Sequence, residues 1–179
     1  MKLKGYLAGS LFSEAEVKQR LLEGNVLREE TPHIEWYNPI EAPCNDKSKL
    51  PTADDIFVGD TRELLASDYV IADLSNNDPG VMMELGIAWG VDYCAEVISN
   101  AFEEAGVEIP VEVMSVLYAS GIKPKEVQAV LSDIRLGSAH NYNGRYIPMS
   151  YNQYVVGGIE HMEGTICSSF EEAVSNLKH

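Results

Sequence analysis

Short apolar runs alternate with amphipathic stretches along the whole chain. The first run, Leu3 to Ala8, is bounded by Gly9-Ser10 and predicts a buried strand that ends in a turn. Similar runs predict four more strands, at Ile34 to Tyr37, Tyr69 to Leu74, Lys125 to Leu131 and the short edge strand Thr165 to Cys167. Strands separated by helical patterns predict a parallel sheet that is covered by helices on both faces.

Helical patterns fill the intervals between these strands. Ser13 followed by Glu16 is a capping-box pattern, and it predicts a first helix that ends near Gly24 or one turn beyond. Further helices are predicted from Thr52 or Asp54, from Val81 to about Ala105, over Val111 to Ala119, and over Phe170 to Leu177 after a Ser168 or Ser169 cap. Loops are predicted at Pro43 to Pro51, beside a pocket, and at Asn141 to Ser150, followed by a helix start or turn at Tyr151 to Ile159.

These elements predict the fold class. A chain of 179 residues with 45% hydrophobic content can bury one sizeable core, and it contains no repeat, low-complexity tract or linker. We therefore expect residues 1–179 to form a single α/β domain. Its sheet should be doubly wound, flavodoxin-like or Rossmann-like, with about five parallel strands.

Charge restricts the possible partners. The formal net charge is −15, from 28 acidic and 13 basic residues, so the field of the protein repels polyphosphate. Nucleic-acid polymers and anionic membranes are therefore not expected as partners, whereas neutral small molecules are compatible. No segment has the length of a signal-peptide core or a membrane span, and we expect a cytoplasmic protein.

Cysteine and histidine spacing argues against a metal site. Cys44, Cys94 and Cys167 are far apart and form no C-x-x-C pair, so we expect buried or partly buried thiols rather than disulfides. The four histidines are also too scattered for a ligand set. The sequence predicts neither a metal nor a cofactor.

Two predicted loops should lie where ligands bind in such a sheet, outside the carboxyl ends of the strands. They are the turn 9–12 after the first strand and the segment Ser75 to Gly80 after the third. Glu84 follows the second loop, at the start of an apolar helix, where a carboxylate is rigidly held and partly desolvated. It is either a catalytic carboxylate or an acid that compensates the helix dipole.

Several more carboxylates flank the same edge: Asp60, Asp68, Asp73 and Asp78. Like charges in one cleft drive pKa values apart, so that one group stays ionised while another holds a proton. Cleavage of a glycosidic bond needs this division of roles. Taken singly each aspartate is a solvated surface charge, and we prefer that interpretation for Asp68 and Asp73.

Four motifs in order carry a family resemblance. They are Tyr6-Leu-Ala-Gly-Ser-Leu-Phe12, Asp60 followed eight residues later by Asp68 and an apolar strand, Asp78-Pro-Gly-Val-Met-Met-Glu84-Leu-Gly86, and Asn152-Gln-Tyr-Val-Val-Gly157. Together they resemble the motifs of nucleoside 2-deoxyribosyltransferases. The match runs from near the N-terminus to about residue 160.

The resemblance implies roles for single residues. Glu84 matches the nucleophile that attacks C1′ and forms a covalent deoxyribosyl-enzyme, and Tyr6 matches the hydroxyl that orients it. Asp60 and Asp78 match carboxylates near the leaving base, and Phe12 matches an aromatic wall of the base pocket. Gly9 and Ser10 belong to the same substrate-binding turn. Without the resemblance, a role as core aromatics would explain Tyr6 and Phe12 equally well.

The resemblance also implies an assembly. Asn152 and Tyr154 match residues that contact the sugar from a neighbouring subunit, so the active unit is expected to be at least a dimer, and the family is often hexameric. Asn152 alone could instead be a helix N-cap. The substrates implied are 2′-deoxynucleosides and free nucleobases.

Two features depart from the family pattern. The stretch 96–123 is longer than the family core needs and is predicted to be a helical insertion. No residue of the loop Asn38 to Lys49 can be assigned as the glutamine-type contact to the base.

Three other functions remain open. A 2′-deoxynucleoside 5′-monophosphate N-glycosidase would use water as acceptor, but Asp78 stands where those relatives have a serine and would repel phosphate. The turn also continues as Leu11-Phe12, without the glycine and basic residues that suit a phosphate. A noncatalytic nucleoside-binding module would not need a nucleophile. An unrelated α/β domain is the third alternative, because a fold does not determine function.

Overall fold

A computed structural model describes residues 2–133, 140–142, 145–147 and 151–177 of the chain. The strands are β1 (Leu3–Ala8), β2 (Ile34–Tyr37), β3 (Tyr69–Asp73), β4 (Glu126–Val130), β5 (His140–Tyr142), β6 (Arg145–Ile147) and β7 (Thr165–Cys167). The helices are α1 (Glu14–Glu30), α2 (Ala53–Ala66), α3 (Pro79–Glu104), α4 (Val111–Ala119), α5 (Gln153–His161) and α6 (Phe170–Asn176). Three short 3-10 turns, Pro39–Glu41, Pro43–Asn45 and Lys47–Lys49, connect β2 to α2.

Five strands form one parallel sheet in the order β2-β1-β3-β4-β7. This confirms the predicted doubly wound α/β fold, with β7 as the predicted edge strand. The chain leaves β1 towards β2 on one side and reaches β3 on the other, so the strand order reverses at β1. Ligands bind beside such a reversal, at the carboxyl ends of the two strands.

Alternate residues of the strands pack against different helices. Tyr6, Val70 and Val127 belong to the core cluster on the face covered by α2, α3 and α5. Leu7 and Ile71 belong to the cluster on the opposite face, with α1 and α6. Because both faces are buried, the strands read as nearly continuous apolar runs.

Several sequence predictions need correction. Helix α1 continues past both predicted ends to Glu30. Gly24 lies inside the helix, where a Cβ would come within 2.8 Å of the Asn38 amide nitrogen. Part of the predicted loop 141–150 forms the antiparallel hairpin β5–β6, and the rest of that loop is outside the described residues. Cys94 is exposed, whereas Cys44 is partly buried and Cys167 is buried, as expected.

Asp68 and Asp73 are not solvated surface charges. Asp68 accepts hydrogen bonds from the Lys123 ammonium and, at 2.9 Å, from the Lys4 amide. Asp73 accepts from Arg20 at 2.8 Å. The sequence could not show these bonds because each partner lies more than 50 positions away along the chain.

The segment 96–123 consists of the end of α3, helix α4 and their connections. The fully buried residues of α3, which are Val81, Leu85 and Ala88, all lie in its first half, and α4 has none. That this segment is an insertion remains a prediction. No helix in the described part of the chain is long and apolar enough to cross a membrane.

The turn after β1 rests on a buried ion-pair network. Arg20 is 3% exposed and donates to Asp73 at 2.8 Å and to Glu23 at 3.0 Å. The guanidinium occupies the space that a Cβ at position 9 would need. Gly9 is therefore required for close packing of the turn against α1.

We expect Gly9→Ala to destabilise the protein by about 1–3 kcal/mol, because the added methyl forces the buried Arg20 out of its ion pairs. Urea unfolding would measure the change. Gly90→Ala is the matched control, since a Cβ there meets no atom within 4 Å and alanine favours a helix. Equal stability of Gly9→Ala and the wild-type protein would contradict the packing argument.

Candidate active site

Tyr6 and Glu84 meet at the centre of the candidate site. Tyr6 lies on β1 with no exposed surface, and its hydroxyl donates a hydrogen bond to the Glu84 carboxylate at 2.6 Å. Glu84 is partly buried in the second turn of α3. The structure therefore brings this predicted pair together. Tyr6 is also a buried core aromatic, so its packing in the core and its contact with Glu84 do not exclude each other.

The environment of Glu84 controls its charge. Burial raises its pKa to about 7, and the nearby Asp60 and Asp78 charges act in the same direction. The hydrogen bond from Tyr6 opposes them by stabilising the carboxylate. Burial and the Glu84 charge raise the pKa of Tyr6 far above its ordinary value, so its hydroxyl stays a donor. At neutral pH Glu84 is thus poised between its two forms.

Asp60 is the second carboxylate of the site, in the middle of α2. It accepts a hydrogen bond from the Tyr37 hydroxyl at 2.7 Å and from the Asn45 amide at 3.1 and 3.2 Å. The Cys44 thiol lies 3.5 Å from the same carboxylate. None of these three partners was predicted from the sequence. The signal that was available is that Tyr37 ends β2, and the loop after it lies at the carboxyl edge of the sheet.

Asp78 caps helix α3. One carboxylate oxygen accepts from the backbone amides of Gly80, at 2.8 Å, and Val81, at 3.1 Å. The cap begins the helix six residues before Glu84 and thereby helps to hold that side chain in place. A contact of Asp78 with the leaving base remains a prediction.

Glu16 organises the turn that carries Phe12. The Glu16 carboxylate accepts from the Ser10 hydroxyl at 2.7 Å and from the backbone amides of Phe12 and Ser13 at 3.2 and 2.6 Å. It also accepts from Asn76 at 2.9 Å, which joins the two loops beside the sheet edge. Hydrogen bonds from Ser10 and Ser13 lower the pKa of Glu16 to about 2. The capping role of Glu16 was predicted from the sequence, but its bonds to Ser10 and Asn76 were not.

Phe12 is 80% exposed, so it is not a core aromatic. Its exposure is compatible with the predicted wall of a base pocket, which stays a prediction. Gly9 and Ser10 lie in the same turn, but the hydroxyl of Ser10 is already bonded to Glu16. Ser10 therefore supports the turn within this chain.

Asn152 and Tyr154 lie at the start of α5. Asn152 is the N-cap of α5 and accepts from the Tyr154 amide at 3.0 Å, so the N-cap interpretation is correct for one chain. Tyr154 is 92% exposed. Neither side chain is hydrogen-bonded to Tyr6, Asp60 or Glu84 among the described residues. Their role in a neighbouring subunit is untested.

The arrangement suits chemistry at a carbon that develops positive charge. A partly buried carboxylate held by a tyrosine can attack such a carbon or stabilise its charge. A second carboxylate, Asp60, is close enough for its charge to raise the pKa of Glu84. Within the described ranges, no three His, Cys, Asp or Glu side chains are grouped as metal ligands. Among the described residues, two cavities of about 930 and 410 Å³ flank α3, and Glu84 lines neither of them.

Comparisons with known proteins place the chain in a family. The family model described as nucleoside 2-deoxyribosyltransferase matches residues 6–132. An uncharacterised protein of Ureaplasma parvum is 33% identical over 92 residues, which are 48% of this chain and 58% of that protein. The match thus spans little more than half of the length of that relative.

Solved structures are similar over nearly the whole chain. A conserved protein from Enterococcus faecalis V583 has a TM-score of 0.67 at 27% identity, with 99% of this chain and 98% of that chain covered. A 2-deoxyribosyltransferase from Bacillus psychrosaccharolyticus has a TM-score of 0.51 at 15% identity, over 97% of this chain and 95% of that chain, and indicates the shared fold alone. Because the family model covers more than half of this chain, the chain belongs to the nucleoside 2-deoxyribosyltransferase family.

Proposed function

We propose that the protein transfers 2-deoxyribose between nucleobases through a covalent intermediate on Glu84. Its family indicates an enzyme that acts on N-glycosidic bonds. The observation that carries the proposal is the 2.6 Å hydrogen bond from Tyr6 to Glu84, because it directs one oxygen of a partly buried carboxylate. A noncatalytic binding module would have no need to hold a carboxylate with a pKa near 7.

The first half-reaction breaks the bond between C1′ and the base nitrogen. The ionised Glu84 attacks C1′, and the electron pair of the broken bond goes to the departing base, which takes up a proton. Asp60 and Asp78 contact that base, and one of these two carboxyl groups donates the proton. Tyr6 keeps the attacking oxygen in line by its hydrogen bond to the carboxylate.

The second half-reaction reverses the first with a different base. A nitrogen of the incoming base attacks C1′ and gives its proton to the carboxylate that donated one in the first half-reaction, and Glu84 leaves as a carboxylate. Two inversions give overall retention at C1′. If water enters instead of a base, the same intermediate is hydrolysed and the enzyme is an N-glycosidase.

Unphosphorylated nucleosides are the favoured substrates. The donors that a phosphate would use in the turn after β1, the Ser10 hydroxyl and the Phe12 and Ser13 amides, all bind the Glu16 carboxylate. A phosphate there would have to displace that carboxylate and would be repelled by it. This supports a nucleoside over a nucleoside monophosphate.

We also propose that the site is shared between two copies of the chain, with Asn152 and Tyr154 supplied by the neighbour. Tyr154 is almost fully exposed, and exposed aromatics are enriched at subunit interfaces. It lines the cavity of about 410 Å³ between α3 and α5, next to Met82 and Leu85 of the helix that carries Glu84. A homo-oligomer built from dimers would place this face against a second site.

Product analysis separates the candidate reactions. The protein is incubated with a 2′-deoxynucleoside, with and without a second free base, and the products are separated by chromatography. A new nucleoside supports transfer, whereas free base alone, above all from the monophosphate, supports the N-glycosidase. Binding without any reaction would support the noncatalytic module.

Glu84→Ala should lower the turnover number at least about 10³-fold, because it removes the nucleophile. Glu84→Gln should be equally inactive, yet it keeps an oxygen that can accept from Tyr6. Circular dichroism should therefore show an intact fold for the glutamine variant. Turnover close to wild type in either variant would refute the covalent mechanism.

The rate should depend on the ionisation of Glu84. Its pKa of about 7 means that kcat/KM should fall about tenfold per pH unit below that value, where the carboxyl is protonated. Tyr6→Phe should move this limb to higher pH, because the hydrogen bond that lowers the pKa is lost. A pH profile measured on both proteins checks the direction. A shift to lower pH would contradict the assigned contact.

A shared site predicts complementation. Glu84→Ala and Asn152→Ala should each be inactive, but an equal mixture refolded together should regain about a quarter of the wild-type activity, since half of the dimers contain one intact site. Asn152→Ser is the control for the loss of the α5 cap, because serine also caps helices. If the mixture stays inactive, the site is complete within one chain.

A further inference from the structure

Two stacked tyrosines each hold one carboxylate of the site. Tyr6 of β1 and Tyr37 of β2 are direct neighbours in the sheet register. Their ring centroids are 5.5 Å apart, with an angle of 24° between the planes. Tyr6 donates to Glu84 at 2.6 Å, and Tyr37 donates to Asp60 at 2.7 Å. Because the two rings stack on neighbouring strands, they fix the positions of the Glu84 and Asp60 carboxylates relative to each other.

Asp60 receives further donors from the loop after β2. The Asn45 amide donates to both carboxylate oxygens, at 3.1 and 3.2 Å. The Cys44 sulfur lies 3.5 Å from Asp60 and 3.4 Å from the Tyr37 hydroxyl. A tyrosine hydroxyl and an amide N–H therefore converge on one side chain. This is the arrangement that holds a carboxylate in one orientation.

The loop can reach Asp60 because α2 has a glycine beside it. A Cβ at Gly59 would lie 2.8 Å from the Cys44 sulfur and 3.0 Å from the Cys44 Cβ. The 3-10 turn Pro43–Asn45 therefore packs directly on the helix backbone. Without that close approach Asn45 could not remain within hydrogen-bonding distance of Asp60.

We propose that Tyr37 and Asn45 are positioning residues that hold Asp60 at the reaction centre, so that the loop between β2 and α2 belongs to the machinery of the reaction. This inference rests on the proposed function. Neither residue needs to touch the substrate. Both act by fixing the distance and orientation of Asp60 relative to Glu84, and displacement of a reacting or assisting group by about 1 Å can cost about 10²-fold in rate.

The principal test is Tyr37→Phe, which retains the ring that stacks on Tyr6 and removes only the donor. The turnover number should fall about 10- to 100-fold with little change in KM. The acidic limb of the pH profile should move to lower pH, because the Asp60 charge that raises the pKa of Glu84 is no longer held near it. A purely structural role would leave that limb in place.

Matched variants separate positioning from folding. Tyr69→Phe, at the amino end of β3, also removes one tyrosine hydroxyl and should leave both kcat and the pH profile unchanged. Asn45→Ala should lower kcat, and Asn45→Gln should recover part of it by restoring an amide donor. Gly59→Ala should mimic Asn45→Ala, because it displaces the loop. Thermal unfolding of each variant monitors the fold.

A double-mutant cycle tests whether Tyr37 acts through Asp60. Once Asp60→Ala has been made, adding Tyr37→Phe should cost no further activity, because the group that it positions is absent. Additive losses, or an unchanged rate and pH profile in Tyr37→Phe, would overturn the inference. If the wild-type protein is active and Glu84→Ala is inactive, such a result overturns only the positioning role of Tyr37 and leaves the proposed function in place. Full activity in Glu84→Ala, or no activity in the wild type, would overturn the proposed function as well.

Discussion

Tyr6 donates its hydrogen bond to Glu84 from the fully buried centre of the sheet, and this contact joins β1 to α3 across 78 positions of the chain. The hydroxyl can reach the helix only because β1 lies between β2 and β3 and presents Tyr6 to the face that α3 covers. The Asp78 cap then fixes where α3 begins. The geometry of the candidate site depends on these two anchors.

The surrounding charges make this contact both useful and costly. Burial, Asp60 and Asp78 all favour the neutral form of Glu84, and the Tyr6 hydroxyl is the contact that favours the ionised form. Because the pKa is raised from 4.5 to about 7 in the folded state, Glu84 lowers the free energy of unfolding progressively as the pH rises between these two values. The same balance keeps a carboxylate reactive near neutral pH, as is typical of functional sites that carry destabilising features.

Local signals were sufficient for much of the fold. The capping box at Ser13 was predictable because both of its partners lie within three residues, and the apolar runs predicted the five parallel strands because both faces of the sheet are buried. Gly24 was given as one of two alternative ends of α1, although it lies inside the helix, because the residue that requires a glycine there, Asn38, is distant along the chain. Asp73 was misread as a surface charge because its partner, Arg20, comes from a different element.

The sequence by itself determined where along the chain the five parallel strands lie, the acidic character of the protein and the motifs that contain Tyr6, Asp60, Asp78 and Glu84. These depend on residue type and short spacing, which a linear pattern records. Only the tertiary structure decided that Tyr37, Cys44 and Asn45 surround Asp60, and that Glu16 binds the donors of the turn after β1. Hydrogen bonds and burial depend on distance in space, and packing brings together groups whose separation along the chain gives no sign of their contact.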